Sequence, residues 1–159
     1  MQKQIDALAV ANWFLKKAAS SPGKTITNLK LQKLLYYAQA WHLVFLGKRL
    51  FPEPIEAWVH GPAIRHLYGK FKEYGFNPIQ YKGDADTSLF SNKQTMLLND
   101  VWKIYGKFDG AFLEALTHSE LPWQKAREGL DAGDFSRREI STELMKKYYA
   151  SKLEDTGAE

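Results

Sequence analysis

The stretch that decides the fold runs from Asn28 to Gly47 and reads NLKLQKLLYYAQAWHLVFLG. One wide, largely apolar stripe occurs in it at helical spacing and consists of Leu31, Leu34, Leu35, Ala38, Trp41, His42 and Phe45. A second, mostly apolar stripe faces another direction and consists of Leu29, Tyr36, Ala40 and Leu43. A helix that is apolar on most of its sides must be covered by several neighbours. The sequence therefore predicts a buried central helix with the other elements packed around it.

The segments on either side of this stretch predict further helices. They are expected over Ile5–Ala18, Asn92–Tyr105 and Thr142–Leu153, with two short helices capped by Asp109 and Ser119. Thr27 and Ser141 precede helical patterns directly, and their hydroxyl groups are expected to accept hydrogen bonds from amides of the first turn. Ile140 and Met145 stand on either side of the second cap at the spacing of a hydrophobic staple.

One short stretch changes period and predicts a strand. Apolar and polar residues alternate over Ile55–Val59, which is typical of a strand with one buried face. Ile79 and Tyr81 also alternate and are expected to pair with it. Gly61 and Pro62 end the strand, and Pro62 is predicted at the first position of the next helix, where its missing N–H is tolerated. The fold class is therefore mainly α, a single compact helical domain around one buried central helix, with a small two- or three-stranded β element.

Composition limits the class of protein further. The 159 residues suit one domain, predicted over residues 1–153, and the polar residues 154–159 are expected to fray. Cysteine is absent, so disulfides and thiolate metal sites are excluded, which suits a reducing compartment. The N-terminal segment lacks the features of a signal peptide. The net charge of +4 comes from scattered Lys and Arg residues, so we expect a cytoplasmic protein without membrane or nucleic-acid partners.

Polar residues on the central helix leave two interpretations open. Gln32, Lys33, Gln39 and His42 stand among apolar neighbours. Buried polar groups need hydrogen-bond partners, because an unsatisfied group costs about 1–3 kcal/mol. The residues are therefore either structural hydrogen-bonding groups or the lining of a polar groove.

A search for catalytic chemistry finds weak signals. The histidines do not form a metal-binding pair at helical spacing, and no glycine-rich phosphate loop or nucleophile elbow is present. Glu56 and His60 lie on the same side of the predicted strand and could form an acid–base pair. A structural role for both residues is the simpler interpretation. No metal, no cofactor and no enzymatic activity are therefore expected.

Three segments in a fixed order resemble a known family. They read KLQKLLYYAQAWHL from Lys30, EAWVHGPAIRHLY from Glu56 and THSELPW from Thr117. This combination resembles the Panacea (SocA-like) antitoxin domain, which includes phage-associated proteins related to GepA. The resemblance covers nearly the whole chain, from Ala7 to Tyr149.

The resemblance implies a helical domain that neutralises a toxin encoded nearby by direct binding. Two alternatives remain. One is an adaptor or phage-encoded modulator that recruits a host protein such as a protease, and the other is an enzyme that uses Glu56 with His60 or His118. Many members carry an additional DNA-binding region, for which this sequence offers no length.

The motif residues divide into two predicted groups. A structural group is expected to build the core and consists of Leu31, Leu34, Leu35, Tyr36, Trp41, Trp58, Gly61, Pro62 and Trp123. A partner-binding group is polar or amphipathic and consists of Lys33, Tyr37, Gln39, Glu56, His60 and Arg65.

Overall fold

The computed structural model describes residues 4–157 and is organised around one helix. In chain order its elements are α1 (Ala7–Ala19), α2 (Asn28–Leu46), β1 (Glu56–Trp58), β2 (Gly61–Ala63), α3 (Arg65–Lys70), α4 (Asn92–Tyr105), α5 (Gly110–His118), α6 (Leu121–Ala126) and α7 (Thr142–Gly157). Short 3-10 turns cover Lys72–Tyr74 and Thr87–Leu89. The predicted fold class, mainly α with a small β element, is confirmed. No helix within the described range is both long enough and apolar enough to cross a membrane.

Helix α2 is the buried centre of the molecule, as its pattern predicts. It contacts α1, α4, α5, α7 and β2, so neighbours cover it on several sides. The Thr27 side chain accepts a hydrogen bond from the amide of Lys30 at 3.2 Å, and Gly47 ends the helix with φ +75°. Phe45 is an exception to the predicted stripe, because it lies at the last turn, is exposed and stacks on Trp41.

The structural motif residues lie in or against this core. Those that are buried are Leu31, Leu34, Leu35, Tyr36, Gly61 and Pro62. Trp41, Trp58 and Trp123 are partly buried, and each uses its indole N–H in a hydrogen bond. Trp41 donates to the Tyr105 hydroxyl at 2.9 Å, and Trp123 donates to the carbonyl of Trp58 at 2.8 Å. Their polar edges are thus satisfied where they meet the core.

The β element differs from the prediction in its pairing. Strand β1 pairs antiparallel with β2, in a register that sets Glu56 opposite Ala63. On its other side β1 forms an isolated bridge between Glu56 and Glu139. The predicted pairing with Ile79 and Tyr81 is wrong, because the amide of Ile79 instead donates to the carbonyl of Ile26 at 2.8 Å.

Two predicted helix starts are also wrong. Pro62 lies in β2 and not at the start of a helix, because Gly61 adopts φ +105° and turns the chain back along β1. Helix α3 therefore begins only at Arg65. Ser119 ends α5 and does not cap α6, because its hydroxyl donates to the carbonyl of Leu116 at 2.6 Å. The residue that precedes α6 is Glu120.

The C-terminal helix is held at its beginning as predicted. The Ser141 hydroxyl accepts a hydrogen bond from the amide of Leu144 at 3.1 Å, and Ile140 and Met145 are both buried. The helix continues past the predicted end at Leu153 to Gly157. Residues 1–3 of the predicted domain and 158–159 of the predicted tail lie outside the described residues.

Candidate functional site

A groove with a volume of about 370 Å³ opens beside the first half of α2. The hairpin β1–β2 and the start of α3 form one wall, and α5 contributes Glu114. Phe76 and Phe135 complete its rim from two loops that are far apart in the sequence. Residues from the first two family-like segments line this groove, and the third segment supports it through the hydrogen bond from Trp123 to the Trp58 carbonyl.

The rim of the groove is aromatic and exposed to solvent. Phe76 is 98% exposed and Phe135 is 74% exposed, although side chains of this kind are usually covered in a folded protein. The ring of Trp58 packs edge-on against Tyr68, with 5.1 Å between their centroids. The Arg65 guanidinium lies 5.1 Å from the Trp58 ring and 5.8 Å from the Phe135 ring. A cluster of exposed aromatic side chains around a concavity is typical of a surface that binds an apolar partner.

Glu56 fixes the position of this aromatic wall. Its Oε1 atom accepts hydrogen bonds from Arg65 Nη2 and from Trp58 Nε1, both at 2.8 Å. Burial alone would raise the pKa of Glu56, but the hydrogen bonds from Arg65 and Trp58 and the positive charges of Arg65 and Arg137 together outweigh burial and lower that pKa. The carboxylate therefore stays ionised and holds Arg65 against the Trp58 ring.

The floor of the groove contains a buried lysine. Lys33 is 2% exposed, and its Nζ atom donates to the carbonyl of Pro62 at 3.1 Å. Burial lowers the pKa of Lys33 to about 7, and the charge of Glu114 opposes this shift only in part. Beside it, His60 Nδ1 lies 3.1 Å from Glu114 Oε2. The imagined acid–base pair of Glu56 with His60 is not formed in this structure, since each residue has a different partner.

His118 lies near the same charges. Its Nε2 atom is buried and has no hydrogen-bond partner among the described residues, while the ring stacks on Trp123 with 3.9 Å between centroids. Burial lowers the pKa of His118, and the neighbouring Lys33 lowers it further against the opposing effect of Glu114. Within residues 4–157 no group of three or more histidine, aspartate or glutamate side chains is placed to hold a metal ion.

The structure separates the predicted partner-binding residues into two places. Lys33, Glu56, His60 and Arg65 meet at the groove or directly behind it. Tyr37 lies in the core, where its ring stacks on Tyr105 at 4.0 Å. Gln39 is also buried, with its Nε2 atom 2.8 Å from the carbonyl of Phe51. These last two side chains do not line the groove.

Polar side chains on α2 mainly serve as structural hydrogen-bonding groups. Gln32 accepts from the amide of Ile64 at 2.9 Å, and Gln39 accepts from the amide of Leu50 at 2.6 Å. His42 Nδ1 lies 2.6 Å from the carbonyl of Lys48. Each of these contacts holds a non-helical segment against α2. Lys33 has both roles, because it binds Pro62 and also lines the groove.

Several residues that line the groove are not predicted from the sequence. Phe135 stands alone in a polar segment, and a single aromatic residue in a polar loop is the signal that marks it. Phe76 has Tyr74 and Ile79 as close neighbours in the sequence, so no such signal marks it. Tyr68 follows an apolar residue in the predicted helix and is partly exposed at the groove. Glu114 lies on a helix that carries no motif signal at that position.

Similarity to known proteins agrees with the resemblance seen in the sequence. The family described as "Antitoxin SocA-like, Panacea domain" matches residues 31–124, which include most of α2, the hairpin and the helices up to α6. Antitoxin SocA of Caulobacter vibrioides (strain NA1000 / CB15N) is 44% identical over 73 residues, which are 46% of this chain and 38% of that protein. The chain therefore spans well under half the length of this curated relative. No solved structure matches the chain.

Proposed function

The chain belongs to the SocA-like Panacea family of antitoxins, and from this premise we propose that it neutralises a cognate toxin by direct binding in the cytoplasm. The toxin is expected to be encoded nearby, as the family resemblance implies. We place the contact at the groove between α2, the β1–β2 hairpin and α3. The observation that carries this proposal is the pair of exposed rings, Phe76 and Phe135, at the rim of that groove.

The energetics of the rim support this placement. Burial of one phenylalanine side chain contributes about 1.5–3 kcal/mol, so two rings together would supply several kcal/mol to a complex. Aromatic and arginine side chains are also the residues that most often dominate binding energy at protein interfaces. Arg65 is held over Trp58 by Glu56 before any partner arrives. A pre-arranged side chain of this kind loses little conformational freedom on binding.

Charge insertion at the rim tests the proposal. The toxin encoded beside the gene would be expressed alone and together with the wild type, Phe76→Glu or Phe135→Glu. Because both rings are exposed, the variants should fold normally, yet they should lose growth rescue and fail to co-purify with the toxin. Met96→Glu is the matched control, since Met96 is 66% exposed on α4 and does not line the groove. Full rescue and a stable complex with both rim variants would contradict this contact surface.

The same experiment separates direct inhibition from the adaptor alternative. Direct binding predicts that the toxin accumulates in an inactive complex with the wild-type chain. An adaptor for a host protease predicts instead that toxin disappears on co-expression and returns when the protease is removed. Turnover of a substrate by the purified chain would favour the third alternative, an enzyme.

A further inference from the structure

We propose that the floor of the groove is a carboxylate-binding subsite, in which the Lys33 ammonium group receives a Glu or Asp side chain of the toxin segment that fills the groove. The proposal rests on the proposed function for the identity of its occupant. The subsite itself is argued from the geometry of Lys33 and its neighbours.

Lys33 has hydrogen-bonding capacity that the free protein leaves unused. An ammonium group carries three N–H donors. Among the residues that the structure describes, the Pro62 carbonyl at 3.1 Å is the acceptor within hydrogen-bond distance of Lys33 Nζ. Its side chain is nevertheless almost fully buried and faces the groove. Pro62 accepts from one of the three donors, and the proposal assigns the other two to a group that enters the groove.

Lys33 also lacks a close counter-charge. Throughout the described part of the chain, no carboxylate oxygen lies within 4 Å of Lys33 Nζ, whereas His60 pairs with Glu114 and Arg65 pairs with Glu56. A buried charge without a partner is unfavourable, and the pKa of about 7 for Lys33 reflects this. A carboxylate brought by the toxin would supply the missing charge in a site that the toxin also shields from water.

The other charges of the groove favour an acidic occupant over a basic one. Both carboxylates of the site already have cationic or donor partners, since Glu56 binds Arg65 and Trp58 and Glu114 binds His60. Lys33 feels the charge of Glu114, but no carboxylate of residues 4–157 lies within 4 Å of its Nζ atom. The chain as a whole carries a net charge of +4, which adds a weak attraction for acidic segments.

Gly61 leaves the space that Lys33 occupies. A Cβ atom at position 61 would lie 2.6 Å from Lys33 Cε and 3.0 Å from Thr117 Oγ1. The absence of a side chain there lets the lysine stem pass under the hairpin and reach the Pro62 carbonyl. The hairpin turn and the lysine therefore form one arrangement, and the subsite is already built in the free protein.

Two short peptides test the subsite without the toxin. The probe is acetyl-Phe-Glu-Phe-amide, and the neutral match is acetyl-Phe-Gln-Phe-amide. Binding to the full chain is followed by the NMR shift of the Trp58 indole N–H. The Glu peptide should bind about tenfold more tightly than the Gln peptide, which is the effect of one charge-assisted hydrogen-bonded pair. The Gln peptide with a free C-terminal carboxylate should bind less tightly than the Glu peptide, because the proposal assigns the site to a side-chain carboxylate.

The chain offers a matched pair of lysine variants. Lys33→Met removes the ammonium group and keeps an unbranched apolar stem. Lys30→Met does the same for a second buried lysine of α2, whose Nζ donates to the Gly106 carbonyl at 2.6 Å and which does not line this groove. The preference for the Glu peptide should vanish in Lys33→Met and persist in Lys30→Met. Should Lys33→Met fail to fold, the Lys33 Nζ resonance of the wild type must shift with the Glu peptide alone.

The outcomes distinguish this subsite from the proposed function. Equal binding of the Glu and Gln peptides, or a preference that survives in Lys33→Met, overturns the carboxylate subsite and leaves toxin neutralisation standing. A preference that requires Lys33 supports the subsite. If toxin binding is then unchanged in Phe76→Glu and Phe135→Glu, the proposed contact surface fails while the subsite remains.

Discussion

Two features of Gly61 disfavour any side chain at that position, its backbone conformation and the crowded space around its Cα atom. Its φ of +105° is a backbone conformation that residues with a side chain rarely adopt. The space that a Cβ atom would need is filled by the side chain of Lys33. A substitution there is therefore strained in the backbone and crowded in the interior. The adjacent Pro62 has no amide hydrogen and so donates no hydrogen bond to β1.

Gly61→Ala should lower the free energy of unfolding by about 2–4 kcal/mol, because backbone strain and displacement of Lys33 add together. Urea unfolding of the two proteins measures this difference. Gly23→Ala is the control, since Gly23 has φ +73° and a Cβ atom at that position would lie more than 4 Å from every described residue other than its two chain neighbours. It should lose about 1–2 kcal/mol from strain alone. Equal losses at both sites would mean that the contact with Lys33 is unimportant.

Capping residues and polar core residues differ in how well the sequence reveals them. Thr27 and Ser141 are predicted correctly, because a capping hydroxyl acts on amides two or three residues away. Gln39 is predicted as a partner-binding residue, and the structure shows it buried, with hydrogen bonds to the backbone of Phe51 and Leu50. Its partners belong to an irregular loop whose path has no sequence signature. The identity of a residue therefore reveals local hydrogen bonds more readily than distant ones.

Helices α6 and α7 are joined to α2 through one carboxylate. Glu120 Oε1 accepts from the Tyr37 hydroxyl at 2.7 Å and lies 2.9 Å from the Tyr149 hydroxyl. The Tyr149 hydroxyl also lies 2.9 Å from that of Tyr36. Burial raises the pKa of Glu120, and the hydrogen bonds from the two tyrosines offset this shift only in part. The network needs the acceptor oxygen of Glu120 but not its charge.

Two substitutions at Glu120 separate the acceptor from the charge. Glu120→Ala should destabilise the chain by about 2–4 kcal/mol, because two buried hydroxyl groups lose their acceptor. Glu120→Gln keeps an acceptor oxygen for the two tyrosine hydroxyls. Its free energy of unfolding at pH 7 should therefore equal or exceed that of the wild type. Because the folded pKa is raised above 4.5, the contribution of Glu120 to stability falls as the pH rises above 4.5. Thermal unfolding of both proteins should be measured from pH 4.5 upward. The melting temperature of Glu120→Gln should rise relative to that of the wild type as the pH increases. A constant difference between the two melting temperatures would contradict the raised pKa.

Long elements are predictable from this sequence and short ones are not. Helices α2 and α4 repeat their apolar pattern over several turns, and both begin where the pattern predicts them. Strand β2 contains only Gly61, Pro62 and Ala63, of which two are unusual in strands. Its pairing with β1 is decided by the turn at Gly61 and by Lys33 beneath it. No period can reveal an element of that length.

The groove is formed by the tertiary arrangement of the whole molecule and not by a single element. Its walls come from α2, the hairpin, α3, α5 and two loops, and the distances along the chain between them are large. The sequence predicts the motif segments that support it, but it gives no sign that Phe76 and Phe135 share one rim. The two rings lie in loops that are far apart in the sequence, so no local pattern relates them.

The buried lysine should also make the stability of the whole chain depend on pH. Burial lowers the pKa of Lys33 from 10.5 to about 7, so the unfolded chain binds more protons than the folded one above pH 7. Stability should therefore rise with pH in this window. Relative to Lys33→Met, the wild type should gain about 2 kcal/mol between pH 7 and pH 9, at about 1.4 kcal/mol per pKa unit. Urea unfolding at both pH values measures the gain, and identical slopes for the two proteins would contradict it.

The polar side chains of α2 act together as a lock on its position. Asn28 donates to the carbonyl of Tyr68 and Lys30 to that of Gly106, while Gln32, Lys33, Gln39 and His42 hold four other points of the surrounding chain. These attachments are spread along several turns and point in different directions. A slip or rotation of the helix by a single residue would release all of them at once. We therefore expect the loops around α2 to become ordered, or to be lost, as one cooperative unit with the helix.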